Sequence, residues 1–276
     1  MAMTINVGEV GVNKGTNIND VVVPEHMRRR VPFGLNWVDA LFGGQGVVPS
    51  MTILFTGTPG AGKTTLCLQL ADAIHRQKGA MALFNSKEES LYQVKMTSER
   101  LGLKNGFICG EDELVDAKLV PEKSKKHWTG HSSILDHARH LIDNNPGKDL
   151  FLLLDSLQTF NDGMYGPGGI IQKTQLRVIE QLTSFAKTGY NGVHPIIVIV
   201  GHVTKSGQFA GPNSVKHAVD AHAHLFIDEV KNSEFWGERI AEVQKNRFGC
   251  NAMKVVLGME RTGLYKKAEF KYEFEA

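Results

Sequence analysis

The stretch Met51-Thr52-Ile53-Leu54-Phe55-Thr56-Gly57-Thr58-Pro59-Gly60-Ala61-Gly62-Lys63-Thr64-Thr65-Leu66 decides how the chain is read. Its first six residues are an apolar run that stops at a glycine, the pattern of a short buried parallel strand. Residues Gly57 to Thr64 match G-x-x-x-x-G-K-[ST] in full. Beyond Gly62, the positions Leu66, Leu70, Ala73 and Ile74 recur at helical spacing. Strand, glycine-rich loop and helix in this order predict a phosphate cradle. The glycines let the backbone curl so that successive N–H groups face phosphate oxygens at a helix N-terminus. The expected binding set is Gly57, Thr58, Pro59, Gly60, Ala61, Gly62, Lys63, Thr64 and Thr65. Lys63 sets a charge on the β- and γ-phosphates, Thr64 offers its hydroxyl to Mg²⁺, and Thr65 stands toward the α-phosphate.

Working outward, strand and helix alternate. AMALFN (80–85), Gly106–Cys109, DLFLLLD (149–155) and HPIIVIVGH (194–202) are strands by their apolar runs. Helices are expected from near Glu88, where Leu91, Val94, Met96 and Leu101 follow, over Ile134–Ile142, and around 171–187. From about residue 222 the chain falls into short β-like runs, HAHLFID, RIAEVQ and MKVVLGM. The fold class is therefore α/β, a mostly parallel sheet with helices on both faces, extended by antiparallel strands at its C-terminal edge. Residues 1–30 form an arm or linker that ends in Pro24 and Arg28-Arg29-Arg30, free or docked on a neighbouring subunit. Residues 31–276 form one domain. The polar stretch 110–130, with Lys123, Lys125 and Lys126, is expected to be a surface excursion.

Ligands of such sheets bind at the carboxyl ends of the strands. Asp155 closes the strand FLLLD there and is the expected carboxylate of the metal shell. Glu88 follows the second strand in Asn85-Ser86-Lys87-Glu88-Glu89-Ser90 and is the candidate that orients and deprotonates a water. The same segment also fits a capping box from Ser86 to Glu89. His202 ends another buried strand, placed either to contact the γ-phosphate and report its loss or as a satisfied histidine at the sheet edge.

Composition narrows the alternatives. The chain has 276 residues, 31 lysines and arginines against 29 aspartates and glutamates, and 42% hydrophobic residues. This is an ordinary globular balance and excludes disorder throughout. A net charge of +2 shows no bulk signature of a nucleic-acid binder, while leaving room for a local basic surface. Cys67, Cys109 and Cys250 are scattered, so neither a cysteine zinc site nor a disulfide framework is expected. No apolar run spans a bilayer and the N-terminus does not resemble a secretory signal, so a cytoplasmic location is expected. His222 and His224, an H-x-H pair near His217 and Asp220, would share one face of a strand. The strand alone accounts for them.

These motifs together resemble the RadA/Sms family of bacterial recombination proteins, in its RecA-like ATPase core. The resemblance runs from about Arg30 to Leu264. It rests on Pro32-Phe33-Gly34-Leu35 with Asp39, on the phosphate loop, and on Asp155-Ser156-Leu157-Gln158-Thr159. Gly201-His202-Val203-Thr204-Lys205 and above all Lys245-Asn246-Arg247-Phe248-Gly249 complete it. That family's four-cysteine zinc module and Lon-like domain have no counterpart among these residues, so the chain is expected to be the core alone. The resemblance implies ATP and Mg²⁺ as cofactors and a homo-oligomer, in all expectation a hexameric ring. ATP would sit between subunits, with Lys245 and Arg247 donated to a neighbour's γ-phosphate as arginine fingers are. From the residues alone these two would be a basic strand end on the surface. The resemblance further implies binding of single-stranded or branched DNA on two glycine-rich loops. Lys173 and Arg177 belong to the first, and Lys205, Gln208 and Phe209 to the second. The expected function is an ATP-dependent, helicase-type DNA motor in recombination or branch migration. A filament-forming recombinase and a KaiC-like switching ATPase that moves no DNA are the alternatives.

Overall fold

A computed structural model describes residues 15–112, 133–160, 165–166, 169–170, 174–203, 213–249 and 253–271. In chain order the elements are α1 (Glu25–Arg28), α2 (Asn36–Leu41), β1 (Thr52–Gly57), α3 (Lys63–His75), β2 (Ala80–Ser86), α4 (Leu91–Leu101) and β3 (Ile108–Gly110). Next come α5 (Ile134–Asn144), β4 (Asp149–Asp155), the two-residue strands β5 (Tyr165–Gly166) and β6 (Gly169–Ile170), α6 (Thr174–Thr188) and β7 (Ile196–His202). The chain continues with α7 (Asn213–Ala218), β8 (Ala221–Ile227), β9 (Arg239–Asn246), β10 (Met253–Glu260) and β11 (Gly263–Lys271).

Nine strands form one sheet in the order β11-β10-β9-β8-β1-β7-β4-β2-β3. The six strands from β8 to β3 are mutually parallel. β9, β10 and β11 add antiparallel at the other edge. This is the architecture that the alternating pattern predicts. The central strands read as unbroken apolar runs because each buries both faces. Ile53, Phe55, Val198 and Phe151 pack against α2, α3 and α4 on one side. Leu54, Ile197, Leu152 and Leu154 pack against α5, α6 and α7 on the other. Each such fully buried side chain contributes about 1.5–3 kcal/mol of transfer free energy.

Several element boundaries differ by two or three residues from the sequence expectation. The helix expected from near Glu88 begins at Leu91, and the strand expected over Gly106–Cys109 is Ile108–Gly110. Among the described residues, the arm before the domain makes its contacts with the domain from His26 onward. His26 stacks on His194 with ring centroids 3.6 Å apart. Arg29 Nη1 donates to Asp149 Oδ2 at 2.6 Å, and Arg30 reaches the Phe248 carbonyl. Upstream of these contacts Ile18 and Val22 are exposed. Most of the expected surface excursion, its residues 113–130, lies outside the described residues. No helix among the described residues is long and apolar enough to cross a membrane.

Candidate nucleotide site

The site forms where β1 ends between β7 and β8. Gly57 lies so close to β8 that a Cβ there would sit 2.1 Å from the Leu225 carbonyl oxygen, so no other residue fits. Gly62 precedes the first turn of α3 with φ 107°, and a Cβ would meet Met259 Cε at 2.6 Å. Gly57 therefore demands glycine for space, and Gly62 for its left-handed backbone conformation. The loop delivers Lys63 into the buried end of the sheet, where its ammonium donates to the Gly57 and Thr58 carbonyls at 2.9 and 3.1 Å. Burial lowers the Lys63 pKa, and Asp155 and Glu88 oppose that shift.

The structure brings Thr64 and Asp155 together: Thr64 Oγ1 donates to Asp155 Oδ2 at 2.6 Å. Asp155 is 1% exposed, and its Oδ1 is buried without a hydrogen-bond partner. Burial pushes its pKa up to about 6 against the Thr64 hydrogen bond, and the nearby Glu88 pushes the same way. A buried carboxylate oxygen without a partner, beside a hydroxyl, is a hard-oxygen donor set that suits Mg²⁺.

Glu88 stands beside Asp155, two residues past Ser86, which pairs with Asp155 across β2 and β4. Its Oε1 accepts from the Ser156 hydroxyl and pairs with His202 Nε2, the latter at 2.7 Å. Burial would raise the Glu88 pKa, but the hydrogen bonds from His202 and Ser156 outweigh it and hold the carboxyl below its usual range. Glu89 differs: burial and the charge of Glu88 raise it, and its Oε2 has no partner. The Ser86–Glu89 capping box does not form. The Ser86 hydroxyl accepts from the Glu88 and Glu89 N–H groups at 3.2 and 3.0 Å, but as a turn outside any helix. Lys87 N–H is bonded to the Asp155 carbonyl, which holds this segment out of the helical path. The box that opens α4 is one turn later, between Ser90 and Gln93.

Nothing in the sequence marks Ser156 as a partner of Glu88, 68 positions away. Ser156 is fully buried, and its backbone is hooked by Thr159, whose hydroxyl bonds both the Ser156 N–H and carbonyl. Gln158 accepts from the His202 N–H at 3.3 Å. The Glu88–Ser156 and Gln158–His202 contacts cross between separate strand ends, so local sequence patterns carry no sign of them.

Lys245 and Arg247 lie at the other end of the sheet. Lys245 pairs with His222, which pairs with Leu54, three positions before Gly57. Arg247 N–H donates to the Asp220 carbonyl, and Asp220 N–H to Thr52, five positions before Gly57. At about 3.3 Å per residue these levels are ~10 and ~17 Å behind the phosphate loop. A bulge between His222 and Ala223 makes Gln244 the extra residue of β9, and bulges re-aim side chains. Lys245 Nζ donates to the carbonyls of Lys216, His217 and Val219 at the end of α7. Arg247 pairs with the buried Asp220 at 3.3 Å and bonds the His217 carbonyl. Burial and the Arg247 charge lower the Lys245 pKa.

His222 and His224 do share one face, and both contact the Thr56 hydroxyl, at 2.7 and 2.8 Å. Burial drives His222 down to about 3, so it is neutral at physiological pH. Of the residues expected to meet DNA, Arg177 lies on α6 and bonds Thr174 Oγ1. Lys173, Lys205, Gln208 and Phe209 lie outside the described residues.

Comparison with known proteins assigns the family. The family described as "ATPase: KaiC" matches residues 31–260. The DNA repair protein RadA of Escherichia coli is 33% identical over 261 residues, covering 93% of this chain and 48% of that protein. RadA of Mycobacterium tuberculosis is 34% identical over 235 residues, covering 83% of this chain and 41% of its own length. The chain thus spans about half the length of the curated relatives it matches. A KaiC-like protein from the hyperthermophilic archaeon Pyrococcus horikoshii superposes with a TM-score of 0.61 at 19% identity. That match covers 87% of this chain and 99% of the archaeal one, and it establishes the fold. The chain belongs to the KaiC-type ATPase family, as a RecA-like core whose sequence relatives are the bacterial RadA proteins.

Proposed function

We propose that the protein is an ATP-dependent DNA-binding motor of recombination or branch migration, hydrolysing ATP at the seams of a homo-oligomeric ring. One observation carries the shared-site reading. The two cations of the Lys245–Gly249 motif stand at the end of the sheet opposite their own phosphate loop, so a γ-phosphate they reach belongs to another copy. The relatives named for DNA repair support the DNA part of the reading.

Each residue has a role that follows from its place. The loop Gly57–Thr65 holds the phosphates, with Lys63 as its buried charge. Thr64 and Asp155 hold Mg²⁺, which when bound neutralises charge on the phosphate oxygens. Glu88, kept ionised by Ser156 and His202, takes a proton from the attacking water. His202 answers both to Glu88 and to the segment that follows β7, so loss of the γ-phosphate would be felt along the loop expected to meet DNA. Lys245 and Arg247 of the next copy stabilise the charge that develops in the transition state.

The test is complementation. Glu88→Gln and Lys245→Ala proteins should each hydrolyse poorly. Mixed, they should recover part of the activity, because some seams join an intact pocket to intact cations. Recovery of nothing while the two proteins co-assemble would overturn the shared site. A second reading, a nucleotide-switched assembly that moves no DNA, is favoured by the match to the KaiC family itself. Turnover stimulated by single-stranded DNA supports the motor, and turnover indifferent to DNA supports the switch.

A further inference from the structure

Arg239 opens β9 at the end of the sheet where β1 delivers the phosphate loop, paired with Ile227 of β8. Its Nε donates to the Ala61 carbonyl at 3.2 Å, and its Nη2 lies 3.5 Å from the Gly60 carbonyl. Among the described residues it forms no ion pair with a carboxylate. Its polar contacts are with two successive carbonyls of the loop. An arginine without an acidic partner, gripping the rim of a phosphate cradle, is not accounted for by folding alone.

We propose that Arg239 is a positioning residue of the phosphate site, bracing the outer carbonyls of the loop and adding a guanidinium charge beside the triphosphate. This rests on the nucleotide-site reading above and deepens it. In a trans peptide the carbonyl and the following N–H point in opposite directions. Holding the Ala61 oxygen toward β9 therefore turns the Gly62 N–H to the other side of that peptide. The brace also neutralises carbonyl oxygens that would otherwise repel phosphate. Arginine suits the task because its planar fork presents Nε and Nη donors together, whereas lysine offers a single point of charge. Arg239 is remote from Lys245 on the same strand, so the two serve different pockets.

The experiment compares the full-length protein with Arg239→Ala and Arg239→Lys, using a fluorescent ADP analogue with Mg²⁺ for binding and phosphate release for turnover. The expected result for Arg239→Ala is a Kd raised about 10-fold, equivalent to ~1.4 kcal/mol. KM for ATP should rise by a similar factor, with kcat at saturation within about twofold of the parent. Arg239→Lys should fall between the two. Ethylguanidinium at millimolar concentration should restore part of the affinity of the alanine variant, which a folding defect would not allow. An unchanged Kd overturns the proposal, as does a lowered kcat with unchanged KM. So does an alanine variant that the added guanidinium does not rescue while the lysine variant behaves like it. Lys63→Ala separates the layers: if it still binds nucleotide tightly, the phosphate-site reading itself fails. If it loses binding while Arg239→Ala keeps it, only the role of Arg239 fails.

Discussion

Replacing Asp155 by asparagine should stabilise the nucleotide-free protein while removing its response to Mg²⁺ and nucleotide. Asp155 is 1% exposed with an oxygen that has no partner, and burial moves its pKa from 3.8 to about 6. A raised carboxylate pKa means that the folded state binds the proton more tightly than the unfolded chain. Its stabilising effect is therefore complete below pH 3.8 and is lost as the pH rises through about 6. A shift of about two units corresponds to ~3 kcal/mol of lost stability above neutral pH. Asparagine cannot ionise and escapes this loss. It does leave an amide N–H without a partner, which costs about 1 kcal/mol. The variant should then be ~2 kcal/mol more stable near pH 8, a rise of about 4–8 °C in Tm for a chain of this size. Near pH 4 the advantage should vanish or reverse. The assay is thermal unfolding of both proteins across pH in the presence of a chelator and without nucleotide. A Tm difference that does not change with pH, or a variant less stable at pH 8, would refute the assignment of Asp155 as a strained, metal-ready carboxylate.

Glu88→Gln should bind nucleotide normally and lose turnover by about 10²–10⁴-fold, measured by phosphate release, because an amide cannot accept the proton of water. Ser156→Ala should lower kcat about 10-fold at unchanged KM, since it removes one of the two donors that orient Glu88. Removing a donor from a carboxylate raises its pKa, so the acid limb of the kcat–pH profile should move to higher pH. A profile that stays in place would assign Ser156 to packing alone.

The strands and helices around Gly57–Thr65 were legible because the two periodicities, two residues for strands and 3.6 for helices, are local properties of the sequence. Asp155 could be picked out because an acid at the end of an apolar strand is conspicuous. The segment 86–93 shows where local patterns fall short. It contains two consecutive box patterns, Ser86 to Glu89 and Ser90 to Gln93. The Lys87–Asp155 backbone bond, which spans 68 positions, decides between them. The Ser156–Glu88 and Arg239–Ala61 contacts were hidden for the same reason, with 68 and 178 positions between partners. Such pairs exist only once the sheet order is set, and that order is a property of the whole chain.

The bulge at Gln244 decides which way the motif faces. Were β9 laid against β8 in unbroken register through Gln244, Lys245 would stand opposite Ala221 and turn to the face that α3 occupies, while every chemical group of the motif remained in the sequence. Deleting Gln244 would instead straighten the ladder and leave Lys245 opposite His222, on its present face. Divergence in this stretch should therefore tolerate loss of the bulged residue, a rule that an inventory of matching letters would miss.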